Sequence, residues 1–168
     1  MTKTVDSYRF LDPLTQQVVK TWIAREPSHE IPWTPWRKLL DECTVAMIGS
    51  AGVALKTDPP FDQDGERQNP WWGDPSYRIL PRTTTEQDVG VYHLHIDTRF
   101  AMQDLNCIFP FQCLLELEAQ HIIGRSAPRH YSFMGYTLDP RVLLEASTPA
   151  IIQHLKEDQV DAVLLVPV

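Results

Sequence analysis

The sequence predicts an α/β fold: a largely parallel sheet flanked by helices, layered in Rossmann-like fashion, with long irregular loops at the strand ends. Three observations carry this. Two short continuous apolar runs, Cys43-Thr44-Val45-Ala46-Met47-Ile48 and Ala162-Val163-Leu164-Leu165-Val166, read as strands buried on both faces, as in a parallel sheet. Between them lie stretches whose apolar residues recur at helical spacing. Fourteen prolines sit between these stretches, which predicts shaped loops rather than disorder. In open parallel sheets ligands gather just beyond the carboxyl ends of the strands. That rule sets Val168, at the end of the last run, beside the expected site.

At 168 residues the chain is long enough for a proper core. Residues 1–30 read as a helical arm and residues 31–168 as a single α/β domain. A net charge of −7 excludes binding through a nucleic-acid backbone, which needs a basic face. No apolar run approaches the roughly 20 residues of a membrane helix. Met1 to Phe10 carries no secretory h-region, so a cytoplasmic location is expected. Cys43, Cys107 and Cys113 form no CxxC pair and read as reduced thiols. Thiol chemistry at Cys107 or Cys113 is the weakest reading, since neither has a basic neighbour.

Taken in order, Asp12-Pro13 is a helix start, with a capping carboxylate and proline in the first turn. Leu14, Val18, Val19, Trp22 and Ile23 then share one face, predicting an amphipathic helix over 13–25 that Pro27 ends. The segment 31–36 cannot be regular because Pro32 and Pro35 fix φ and remove donors. Trp33 and Trp36 are expected to cover the edge of the core. The first apolar run leads into Gly49-Ser50-Ala51-Gly52, a small-residue turn. There, backbone amides could approach a ligand closely, or the turn could simply end a strand. Residues 58–76 read as a long polar-aromatic loop through Pro70-Trp71-Trp72, and residues 77–80 as a short strand.

Val91-Tyr92-His93-Leu94-His95-Ile96-Asp97 alternates. At strand period His93, His95 and Asp97 share a face, able to hold an anionic substrate or a divalent metal. A helix follows Pro110 and ends near Gly124. Ser126 to Tyr136 packs Arg129, His130, Tyr131 and Ser132 beside aromatic residues and reads as a loop serving a site. Asp139-Pro140 and Thr148-Pro149 each start a helix, with Ile151, Ile152 and Leu155 as the apolar face of the second and His154 on its solvated side.

These residues resemble the selenoprotein B family of glycine, sarcosine, betaine and D-proline reductases. The resemblance rests on Pro32-Trp33-Thr34-Pro35, Ala51-Gly52-Val53, Lys56 to Phe61 and Gly73 to Arg78. It continues through His93 to Asp97, Ala127 to Tyr136 and Asp161 to Leu165, and so covers about residues 30–168. Ala127 to Tyr136 is its most specific stretch. The resemblance implies reductive cleavage of a C–N bond α to a carboxylate, in glycine, sarcosine, betaine or D-proline type substrates. Electrons would come from a thioredoxin-like or dithiol donor, and a partner reductase subunit would carry an activating carbonyl. In that family the strand matching residues 161–167 is followed by a selenocysteine or cysteine, with a further cysteine two residues on. Such a residue is therefore expected immediately after Val168, with UGA read as a stop, and no other cofactor in this chain.

On this reading Arg129 grips the substrate carboxylate, Ser50, Ala51 and Gly52 supply amide donors, and Ser132 is a further substrate contact. His93, His95 and His130 are candidates to protonate the leaving nitrogen, and Asp97 to orient one of them. Two alternatives compete: a hydrolase or lyase with a metal on His93, His95, Asp97 and His130, and a non-catalytic homologue that acts by assembling with partners.

Overall fold

The computed structural model of the chain describes residues 8–9, 11–25, 30, 32–69, 73–135, 137 and 139–168. The expectations that fall on Pro27, Ile31, Pro70-Trp71-Trp72, Tyr136 and the first residues of the chain lie outside these. Two compact units form, Met1–Arg37 and Lys38–Val168.

In the first unit, helix α1 spans Pro13–Arg25. Asp12 caps it, its Oδ1 accepting from the amides of Leu14 and Thr15 at 3.0 and 3.1 Å. These amides have no partner inside the helix, so a carboxylate one residue upstream satisfies them. Trp33 and Trp36 belong to this unit.

The second unit is built on strand β1, Thr44–Gly49, which is buried along nearly all its length. Its continuous apolar character follows from having neighbours on both edges and both faces. Strand β7, Ala162–Val166, runs parallel to it from Val45↔Ala162 to Gly49↔Val166. On the other side lie β5, Arg125–Ser126, and β6, Arg129–Phe133, both parallel to β1. Strand β3, Tyr77–Pro81, closes that edge antiparallel to β6. The sheet is thus mostly parallel, in the order β3-β6-β1-β7.

Helices cover both faces. Along β6 successive side chains alternate: His130 meets Phe111 of α4 (Phe111–Ala119), whereas Tyr131 stacks on His154 of α5 (Thr148–Glu157). His154 is therefore a packing residue, because strand β6 sends Tyr131 up against it. A two-stranded ribbon, β2 (Val53–Leu55) with β4 (Val89–Val91), leaves the sheet beyond β1. Helix α2, Gln63–Gln68, sits in the segment expected to be loop, started by Asp62, whose side chain accepts from the Gly65 amide at 2.9 Å. A short helix α3, Thr98–Ala101, follows the ribbon.

Four expectations need correction. Residues 129–133 are a strand, not a loop: His130 and Ser132 are polar but fully buried, and each accepts from a backbone amide, of Met47 and Val53 respectively. Strand β7 is not buried on both faces; β1 is its one strand partner among the described residues, and Leu165 is 68% exposed. The helices expected at 139 and 148 merge, with a π-helical stretch over Leu143–Ser147 leading straight into α5. Pro149 has no N–H to give the turn before it, and a widened turn absorbs the loss. Helix α4 stops at Ala119, well short of Gly124, because His121 turns left-handed at φ 57°.

Candidate functional site

Beyond Gly49 the chain has no further strand to pair with and turns sharply. Gly52 takes φ +63°, a conformation that suits glycine. The Ser50 amide donates to Val166 O at 3.1 Å, Gly52 to Phe133 O at 3.0 Å, and Gly135 to Ser50 O at 2.7 Å. Two of the three amides expected to face a ligand are therefore spent on the backbone. Ala51 is buried at a bridge to Met134. Ser132 is buried too, its hydroxyl holding the Val53 amide at 2.8 Å, so it is a brace for β2 and not a substrate contact. Ser50 is different. Its hydroxyl accepts from the Val168 amide at 2.9 Å, and so joins the end of the β7 segment to the turn after β1.

The strand expected over 91–97 ends at Val91. Its partner β2 offers three residues; Tyr92 still gives its amide to Gly52 O at 2.9 Å, and there the partner chain turns away, leaving no β2 residue opposite His93 onward. The alternation over His93, His95 and Asp97 consequently fails. Asp97 instead caps α3, accepting from the Arg99 amide at 3.1 Å and pairing with the Arg99 guanidinium at 2.6 Å. It does not orient a histidine.

His93 and His95 come together by another route. The His95 amide donates to Nδ1 of His93 at 3.1 Å, and the two rings sit edge to face with centroids 5.9 Å apart. A backbone N–H can only donate, so Nδ1 is an acceptor and the proton of the neutral ring is on Nε2. Burial, helped by the neighbouring His95, holds the His93 pKa below its ordinary value, which keeps the ring neutral. Nε2 is buried without a partner among the described residues. It lies against Gly135, where a Cβ would stand 2.9 Å from it and 3.0 Å from Ser50 O. A glycine at 135 is what allows this close approach.

His95 is half exposed, and its Nε2 pairs with Glu66 Oε1 at 2.6 Å. Glu66 rises from α2 and is 3% exposed, with its second oxygen, Oε2, buried and without a partner among the described residues. Glu66 falls in the stretch 58–76 that is expected to be loop, and no site role is expected of it there. A signal existed: Asp62 followed three residues later by Gly65-Glu66 is a helix start.

His130 and Arg129 lie elsewhere. His130 is fully buried in mid-strand, its Nδ1 accepting from Met47 N at 3.0 Å and its Nε2 sharing a hydrogen with Ser126 Oγ at 3.0 Å. Burial pushes its pKa down to about 4. It is a core residue. Arg129 begins β6, at the amino end of the parallel strands, the end away from Ser50. Its guanidinium grips Asp158 at 2.7 and 2.8 Å and Glu157 at 3.0 Å, which leaves it clamping the end of α5. These contacts hold its pKa above the ordinary arginine value. Among the described residues no three His, Cys, Asp or Glu side chains are placed to hold a metal ion. The ligand set of the metal alternative is dispersed.

What converges at the carboxyl ends of β1, β6 and β7 is thus Ser50, Gly52, Gly135, Val168 and, against them, the His93–His95–Glu66 chain. It offers one imidazole with a buried N–H to give and a second imidazole, reachable from solvent, to pass a proton.

A sequence model of the glycine/sarcosine/betaine reductase selenoprotein B family matches residues 10–168. The D-proline reductase subunit gamma of Acetoanaerobium sticklandii is 36% identical over 133 residues, 79% of this chain and 52% of that protein. The chain therefore spans about half the length of this relative. No solved structure matches it. Among the described residues no helix is long and apolar enough to cross a membrane.

Proposed function

The chain belongs to the glycine/sarcosine/betaine reductase selenoprotein B family, and on that premise we propose that it forms the substrate-facing part of a reductase that cleaves a C–N bond α to a carboxylate. The substrate is a small amino acid of the glycine, sarcosine or D-proline kind, or betaine. The nucleophile is a selenocysteine or cysteine that follows Val168 in the full polypeptide. One observation supports this most: Val168 is hydrogen-bonded to Ser50, in the turn that also carries Gly52 against His93. A residue after Val168 would emerge among the groups a C–N cleavage requires.

The chemistry divides among them. A selenolate is ionised at neutral pH and needs no base, whereas an ordinary thiol at pKa about 8.5 does. As the C–N bond breaks, the nitrogen leaves with a proton and the carbon gains the other, while two electrons come from a dithiol that becomes a disulfide. His95, braced by Glu66 and open to solvent, is the residue suited to protonate the leaving nitrogen. His93 is a poor acid, because its one proton sits on a neutral ring whose other nitrogen is already occupied. It serves as a hydrogen-bond donor. A dithiol or thioredoxin-like donor and a partner subunit complete the reaction.

The coding DNA beyond Val168 tests the proposal. An in-frame UGA with a cysteine codon two positions later is expected. A frame without selenocysteine or cysteine following Val168 overturns it.

A further inference from the structure

Two buried polar atoms in this site have no partner among the described residues, His93 Nε2 and Glu66 Oε2. Both side chains are at least nine-tenths buried, at 5% and 3% exposure. They are linked through His95, which bonds Glu66 by its ring and His93 by its backbone amide. Their characters are opposite. Nε2 carries the only proton of the neutral His93 ring and can only donate, whereas Oε2 of a carboxylate can only accept. An unpaired buried polar group is costly, more so if charged, so a site that keeps two of them is matched to a ligand that answers both.

We infer that Glu66 and His93 form the recognition pair for an amino-acid zwitterion that bears at least one N–H, with the amino group donating to Glu66 Oε2 and a carboxylate oxygen accepting from His93 Nε2. The inference rests on the reductase reading for the class of substrate and adds which member of that class is taken. Glycine, sarcosine and D-proline each offer an N–H. A betaine, with a quaternary nitrogen, offers none and would leave Oε2 unanswered. The arrangement also supplies the carboxylate contact that Arg129 cannot, since that guanidinium is held by Asp158 and Glu157. Glycine at residue 135 keeps a side chain off Nε2, since a Cβ there would stand 2.9 Å from it.

The test is a titration of the purified full polypeptide, labelled with ¹⁵N in its histidine rings, with sarcosine, D-proline and glycine betaine. Sarcosine and D-proline should shift the His93 Nε2–H signal saturably. Betaine should bind between about tenfold and a hundredfold more weakly, the loss expected when one charge-assisted hydrogen bond is missing. Glu66→Gln should remove most of the difference between sarcosine and betaine. Should that variant fail to fold, the three-ligand comparison on the natural chain decides alone. Equal affinity for betaine, or no response of His93 to any of the three, overturns the inference. The outcome is independent of the DNA downstream: a UGA codon without ligand discrimination removes this inference and leaves the reductase reading standing.

Discussion

Gly52 holds the turn after β1 in a left-handed conformation, and its missing side chain lets the ribbon return close to the sheet. A Cβ at that position would lie 3.1 Å from His93 N and 3.2 Å from Met134 Cγ, on a backbone at φ +63°. Gly52→Ala therefore combines two costs, the left-handed penalty and a contact in which one neighbour is backbone. A loss of about 1–3 kcal/mol in stability is expected, with His93 displaced. A urea melt followed by circular dichroism reads the first and the His93 ring signals the second; an unchanged midpoint would refute the account. At this scale the sequence was a partial guide. His93 and His95 were legible as site residues, but through an alternation that the backbone does not follow. What joins them is one residue's amide on the next one's ring, and a periodicity argument has no access to that.

Strand β6 shows how an element hides. Arg129-His130-Tyr131-Ser132-Phe133 carries the side chains expected of a binding loop, yet it lies next to β1 in the sheet. The two inward polar residues are satisfied by neighbouring amides, which a sequence pattern of apolar against polar residues cannot show. Strand β1 and the start of α1 were legible because burial and capping write themselves into residue type. Strand β7 was legible as a strand, though not as an exposed one: its apolar run predicts cover that the described residues do not supply. Arg129 carries the prediction at this scale. Bidentate on Asp158 and further bonded to Glu157 and the His154 carbonyl, it ties the end of α5 to the start of β6. Arg129→Ala should lower stability by about 1–3 kcal/mol, and leave the affinity for sarcosine or D-proline unchanged. A drop in affinity without a drop in melting midpoint would return Arg129 to the substrate.

For the molecule as a whole, the titration of buried groups sets how the second unit responds to acid. His130 is neutral and buried between Met47, Ser126 and Phe111, and its pKa is pushed down to about 4. In the unfolded chain the same ring titrates near 6.5. Between these values the unfolded state binds the extra proton, so stability rises with pH across that window and is lost as pH falls through it. The contribution is fully present above about pH 6.5 and gone below about pH 4, and the shift corresponds to roughly 3 kcal/mol. His93, also held below its ordinary value by burial, acts in the same direction. Asp74 adds a later step. Burial opposes its ionisation, yet hydrogen bonds from Ser76 and the Asp62 amide outweigh that and keep its pKa low, so its share is lost only at more acidic pH. Urea midpoints measured from pH 7.5 down to pH 4 should therefore fall steadily from about pH 6.5, before carboxylates have titrated. The measurement should be a midpoint and not a turbidity, because the isoelectric point near 5.3 invites association in the same range. In His130→Gln, where the side-chain oxygen can still accept from Met47 N, the slope between pH 6.5 and pH 4 should flatten. A natural chain with equal midpoints at pH 7 and pH 5 would mean that His130 is not held neutral in the core.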